Sequence, residues 1–240
     1  MKRRNNNVYV LATIAIMSAV MFIFGFTPLG TIQTPGLTIT LMGIPVAIMA
    51  CVFGPIMGLV SGAIWGSISL IQAFTGMDAM GTLILTSEYI SFPRKILGLI
   101  CMCLIARMLA GFLAGLIFDA IKKKDKKGYL ASLAASLSVS FFNTLFFMTL
   151  FCLFFFTSKT IQDNYVAYYI EQGFNASNPI IFVFAVIGLN FVIELAVNGI
   201  VGSLASFAIS KAATRMGLYD PFFHFFRTKK ISDNKNSPTK

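Results

Sequence analysis

Residues 129–157, YLASLAASLSVSFFNTLFFMTLFCLFFFT, run without one charged side chain. The stretch exceeds the ~20 residues a helix needs to cross bilayer hydrocarbon. A soluble domain cannot cover so much apolar surface. Lipid accepts it when the backbone satisfies its own hydrogen bonds as a helix. Further apolar segments lie at 8–26, 40–53, 56–76, 93–121 and 180–211. The one at 40–53 is short, carries Pro45 and ends at Gly54-Pro55, so it spans only with a tilted or irregular lead-in. Those at 93–121, 129–157 and 180–211 exceed one bilayer crossing and are expected to tilt or project. Composition agrees: 57% hydrophobic, 12% charged, mean hydropathy +0.80. The fold expected is an all-α polytopic membrane protein with six transmembrane helices.

Charge orients the bundle. The net charge of +10 gathers in MKRRNNN, in KKKDKK at 122–127 and in the tail from Arg227. Placing these inside satisfies the positive-inside rule and puts both termini in the cytoplasm. The outer connections are then 27–39, 77–92 and 158–179, carrying Asp78, Glu88, Asp163 and Glu171. Within 29–41, LGTIQTPGLTITL alternates β-branched residues around Pro35-Gly36, which reads as a hairpin-like outer loop or an extended connector. The domain plan is a basic cytoplasmic N-terminus (1–7), a membrane domain (8–211) and a basic aromatic tail (212–240). The tail stretch YDPFFHFFRTKK, with His224, reads as an interfacial anchor on the inner leaflet. Such short basic runs suit a membrane face better than nucleic acid.

Several chemistries find no support. No G-x-x-x-x-G-K-[ST] loop is present to cradle nucleotide phosphates, and no H-E-x-x-H. One histidine, in the tail, makes a serine-histidine-aspartate arrangement implausible. Cys51, Cys101, Cys103 and Cys152 lie inside apolar runs and read as small hydrophobes rather than metal ligands. An enzyme, a metal site and a cofactor are therefore not expected.

Ionisable groups inside a membrane are costly and mark function by default. Arg107 and Glu194 lie about 15 and 14 residues inward from the outer ends of their helices. At 1.5 Å per residue both stand ~21–23 Å deep. They read as a buried ion pair that fixes helix packing more than it contacts substrate. Asn143 lies near the same level, and Asn190 one turn above Glu194. Arg94 and Lys95 follow Pro93 at the start of a helix, where positive charge opposes both the positive-inside trend and the helix dipole. Arg94 is the candidate partner for an anionic substrate, with Glu88 as its competing partner. Asn190, Asn143, Gln72 and Thr75 are the candidate polar contacts.

Gly54, Gly58, Gly62 and Gly66 stand four apart in GPIMGLVSGAIWG. Small residues at that spacing let helix backbones approach closely. The stripe faces either another helix of this chain or a partner subunit. The first segment carries a second small pair, Ala15-x-x-x-Ala19.

That A-x-x-x-A pair resembles the signature of the substrate-binding S components of energy-coupling factor (ECF) vitamin transporters. LTITLMGIPVAIMACVFGPIMGLVSGAIWG is similar to the second and third helices of that superfamily. The blocks TPLG, SLIQAFTGMDAMGTL, PRKILG and FNTLFFM look most like the pantothenate-type S components of Firmicutes. The resemblance implies a vitamin-binding subunit in a Gram-positive plasma membrane. Its partners would be a transmembrane coupling subunit and two cytoplasmic ATPase subunits. It places Ala15 and Ala19 at the coupling subunit, with Gly54, Gly58, Gly62 and Gly66 at the same interface or packed internally. Riboflavin or folate would be the alternative vitamins. An autonomous carrier or channel, using Arg107, Asn143 and Glu194 as an ion path, is the reading from a different class.

Overall fold

The computed structural model describes residues 6–28, 30–34, 37–125 and 127–215. Most of the basic N-terminus, Pro35-Gly36 and the aromatic tail from 216 on lie outside the described residues. Helix α1 (Asn6–Phe26) leads into strands β1 (Thr31–Thr34) and β2 (Leu37–Thr40). These pair antiparallel, Thr31 opposite Thr40 and Thr34 opposite Leu37. Helices α2 (Gly43–Phe53) and α3 (Pro55–Phe74) follow. Gly54 joins them at φ 90°, a conformation that favours glycine, and Pro55 opens α3 where a missing N–H costs nothing.

Helices α5 (Phe92–Ile100) and α6 (Ala106–Lys122) are joined by a π-helical turn at Cys101–Ile105. Another π turn, Asn198–Gly202, joins α10 (Pro179–Val197) to α11 (Ser203–Arg215). Between these long helices lies α7 (Tyr129–Phe155). Among the described residues four helices are long and apolar enough to cross a membrane: Pro55–Phe74, Phe92–Lys122, Tyr129–Phe155 and Asn190–Arg215. Leu11–Phe26 and Gly43–Phe53 are shorter apolar helices.

Two connections are more structured than their sequences suggested. Residues 77–92 hold α4 (Ala79–Thr86), opened by Asp78, whose carboxylate accepts the Gly81 N–H at 2.7 Å. Residues 158–179 fold as α8 (Lys159–Ile161), a π turn and α9 (Ala167–Glu171). Ser158 caps the first of these, and Asn178 caps α10.

The glycine stripe is answered inside the chain. A Cβ on Gly58 would collide with the Gly111 carbonyl, one on Gly62 with that of Arg107, and one on Gly66 with that of Cys103. The α3 and α5–α6 helices therefore meet backbone to backbone, close enough for van der Waals contact without side chains between them. Of the two faces left open for Gly58, Gly62 and Gly66, the partner-subunit one is set aside: the seam is internal. Gly54 is also buried, and serves the α2–α3 turn. Ala15 and Ala19 lie on an exposed face of α1.

Phe151 and Phe155 are fully buried and pack with Leu99, Met102 and Phe182 in the largest apolar core. A second core, including Met21, Met42, Val46, Trp65 and Ile68, lies where α1, α2 and α3 converge.

Candidate functional site

A cavity of about 640 Å³ opens where the ends of α1 and α3 meet the middles of α7 and α10. Gly25 to Pro28, Thr40, Met77 and Asp78 line it, so it lies at the end of the bundle opposite the basic loop 122–127. The hairpin runs into its wall. The Thr40 N–H donates to Glu194 Oε1 at 2.9 Å. Across the cavity mouth, Gln72 Nε2 donates to the Gly25 carbonyl at 2.5 Å, fastening α3 to the end of α1.

Arg107 projects into this space because of the π turn just before it. Its Nη1 donates to the Met102 and Cys103 carbonyls, both at 3.1 Å. One nitrogen is thereby tied to its own helix. The guanidinium carbon stands 5.0 Å from the Trp65 ring centroid and 5.5 Å from that of Phe147, within cation–π range of both. Three polar atoms of cavity-lining residues are buried without a hydrogen-bond partner among the described residues: Arg107 Nε, Trp65 Nε1 and Asn143 Oδ1. The residues are 9%, 2% and 7% exposed, so bulk water does not satisfy them. Buried polar groups ordinarily have partners, and leaving one unmade costs about 1–3 kcal/mol. The two N–H groups call for an acceptor, and the Asn143 oxygen for a donor.

Of the residues singled out in the sequence, Arg107, Glu194, Asn143, Asn190 and Gln72 all line this cavity. Arg107, Glu194 and Asn143 meet at the shared depth expected of them, with Asn190 and Gln72 nearer the mouth. The direct Arg107–Glu194 ion pair is a correction: the pair lies within electrostatic reach, but each hydrogen-bonds backbone groups instead. Thr75 is exposed and turned back to the Ile71 carbonyl at 2.8 Å, away from the cavity lining.

Arg94 is the larger correction. Its Nε donates to the Phe154 carbonyl at 2.6 Å and its Nη2 to Thr157 Oγ1 at 3.3 Å. Lys95 likewise donates to the Leu85 carbonyl at 2.7 Å. Both acceptors lie in the last turn of a helix, α7 and α4, where carbonyls lack intrahelical donors and the dipole is negative. Arg94 and Lys95 are thus C-terminal caps of neighbouring helices. The cavity's own cation is Arg107.

Sequence reasoning passed over Trp65, Thr40, Asp78 and Phe191, which also line the cavity. One signal for Trp65 was available: it is the chain's single tryptophan, set between Gly62 and Gly66.

A family model described as "ECF transporter, substrate-specific component" matches residues 10–205, a range that contains every cavity-lining residue. The chain belongs to this family. A comparison with individual curated proteins finds no match. An ECF S component is part of a transporter and not of an enzyme family. Membership implies association with the coupling and ATPase subunits and a vitamin as cargo, in a multi-pass cell-membrane protein.

Proposed function

We propose that this S component captures pantothenate at the cavity built around Arg107 and delivers it to a shared ECF coupling subunit. The observation that carries the reading is the Arg107 guanidinium, deep in the cavity with Nε unpartnered among the described residues. Pantothenate offers one carboxylate, an amide, two hydroxyls and an apolar gem-dimethyl centre. Its carboxylate suits the free edge of Arg107. Its hydroxyls and amide N–H supply donors for Asn143 and Glu194, its carbonyl an acceptor for Trp65, and Phe147 and Met148 an apolar wall. Glu194 sets the opposite sign of charge beside Arg107, which orients a ligand that has one anionic end and donors at the other.

The bundle is read as six spans with both termini cytoplasmic, in a Gram-positive plasma membrane. The basic loop at 122–127 lies inside and the cavity opens outside. Ala15 and Ala19 meet the coupling subunit, since they present small side chains on an exposed face of α1.

The test is mass spectrometry of small molecules retained by purified protein, followed by binding to Arg107→Gln. Retained pantothenate is expected. A charge-assisted hydrogen bond is worth about 1.5–3 kcal/mol, so the variant should bind roughly ten- to a hundredfold more weakly. The neutral analogue pantothenol should lose much less. Retention of riboflavin or folate overturns the choice of vitamin, and uptake into liposomes holding this chain alone overturns the S-component mechanism.

A further inference from the structure

A second cavity, of about 480 Å³, runs along the lipid-facing side between α7 and the α10–α11 helix. Tyr129, Leu133 and Leu137 form one wall, and Val192, Gly199 and Leu204 the other. The groove exists because the π turn places a glycine there, and a Cβ on Gly199 would stand 2.9 Å from Leu137 Cδ2. The same turn sends Asn198 inward, its Nδ2 donating to Ser140 Oγ at 2.6 Å, so the groove stays apolar.

Its length and its end point to an occupant. Tyr129 to Leu137 spans about 12 Å and Val192 to Leu204 about 18 Å at 1.5 Å per helical residue. One leaflet of a ~30 Å hydrocarbon core is about 15 Å deep. At the Tyr129 end the groove meets cations. The Tyr129 ring packs edge-on against Phe207 at 5.8 Å, and Lys211 Nζ lies 5.3 Å from the Phe207 ring centre. Lys122 Nζ packs against Gly128, and Lys127 is exposed beside it. The nearby Asp125 carboxylate is taken up by the start of α7, accepting the Lys127 and Ala131 N–H groups, each at 3.1 Å. The Gly128 backbone N–H foremost, with those of Ala131, Leu130 and Lys127, holds its pKa below the usual carboxylate range.

We propose that this groove binds one anionic glycerophospholipid, with an acyl chain along Leu133, Leu137 and Gly199 and the phosphate at Lys122, Lys127 and Lys211. The apolar walls alone would take any acyl chain. The lysines select its headgroup, because a cation near an anionic surface contributes about 1 kcal/mol, a factor of about five.

The experiment is native mass spectrometry of the detergent-purified chain, incubated with equal amounts of phosphatidylglycerol and phosphatidylcholine of the same acyl length. One phosphatidylglycerol should be retained in preference, by about five- to thirtyfold. The double variant Lys127→Gln, Lys211→Gln should bring the two lipids near parity, and it leaves the helix core untouched. Gly199→Leu should remove both lipids by filling the groove. Equal retention of the two lipids by the unaltered chain overturns the proposal. So does undiminished phosphatidylglycerol on Gly199→Leu; if that variant instead fails to join the coupling subunit, the groove belongs to a protein partner.

Discussion

Two stripes of small residues at spacing four lie in this chain and do opposite things. On α3, Gly58, Gly62 and Gly66 are buried against the backbone of α6 and its π turn. On α1, Ala15 and Ala19 are exposed, beside the exposed large side chains of Leu11 and Ile16. The glycine seam is a contact already made. The alanine pair is a surface with no cover among the described residues of the chain. Spacing alone marks where a backbone can come close, and only the fold says whose.

The contrast is sharpened by substitutions ranked by their cost to the folded state. Gly62→Leu is expected to cost most, because its Cβ meets the Arg107 carbonyl and a backbone atom cannot swing aside. Overpacking costs about 1–3 kcal/mol and more where nothing yields, so little folded protein should survive extraction. A variant with near-normal thermal stability in detergent would show that the seam is looser than drawn.

Glu194→Gln comes next. It keeps an acceptor for the Thr40 N–H but removes the charge that faces Arg107 in a low dielectric. A loss of about 1–2 kcal/mol is expected, partly restored when Arg107→Gln is added. Strict additivity in the double-mutant cycle would mean that the two charges do not sense each other.

Arg94→Ala should cost about 1 kcal/mol, by uncapping the end of α7, and leave ligand affinity within about twofold. A tenfold loss of pantothenate affinity would return Arg94 to the site.

Ala15→Trp is expected to change neither stability nor binding measurably, because the side chain points away from the bundle. It should block transport in reconstituted complexes. Lost binding with intact assembly would place α1 in the pocket and erase the contrast between the two stripes.

How far the fold was legible follows from which physics is local. Apolar runs announced membrane helices, since the length of an apolar stretch is a property of one segment. Equal helical depth brought Arg107, Glu194 and Asn143 to one cavity, with Asn190 one turn above, because rise per residue is nearly constant. Partner choice was not legible. Arg94 and Lys95 found carbonyls at the ends of α7 and α4, and Gly62 found the Arg107 carbonyl; each depends on which helix comes alongside. The π turn at Cys101–Ile105, which exposes the carbonyls that hold Arg107, carries no glycine or proline to announce it.

The central claim is that the cavity around Arg107 is the ligand site, and Trp65 reports on it directly. It is the only tryptophan in the sequence, and its ring lies 5.0 Å from the Arg107 guanidinium carbon. Titrating purified protein with pantothenate should give a saturable change in tryptophan emission at one ligand per chain. In Arg107→Gln the midpoint should move by roughly ten- to a hundredfold. Emission that stays constant through saturating pantothenate, or a midpoint unchanged in the variant, would contradict the account.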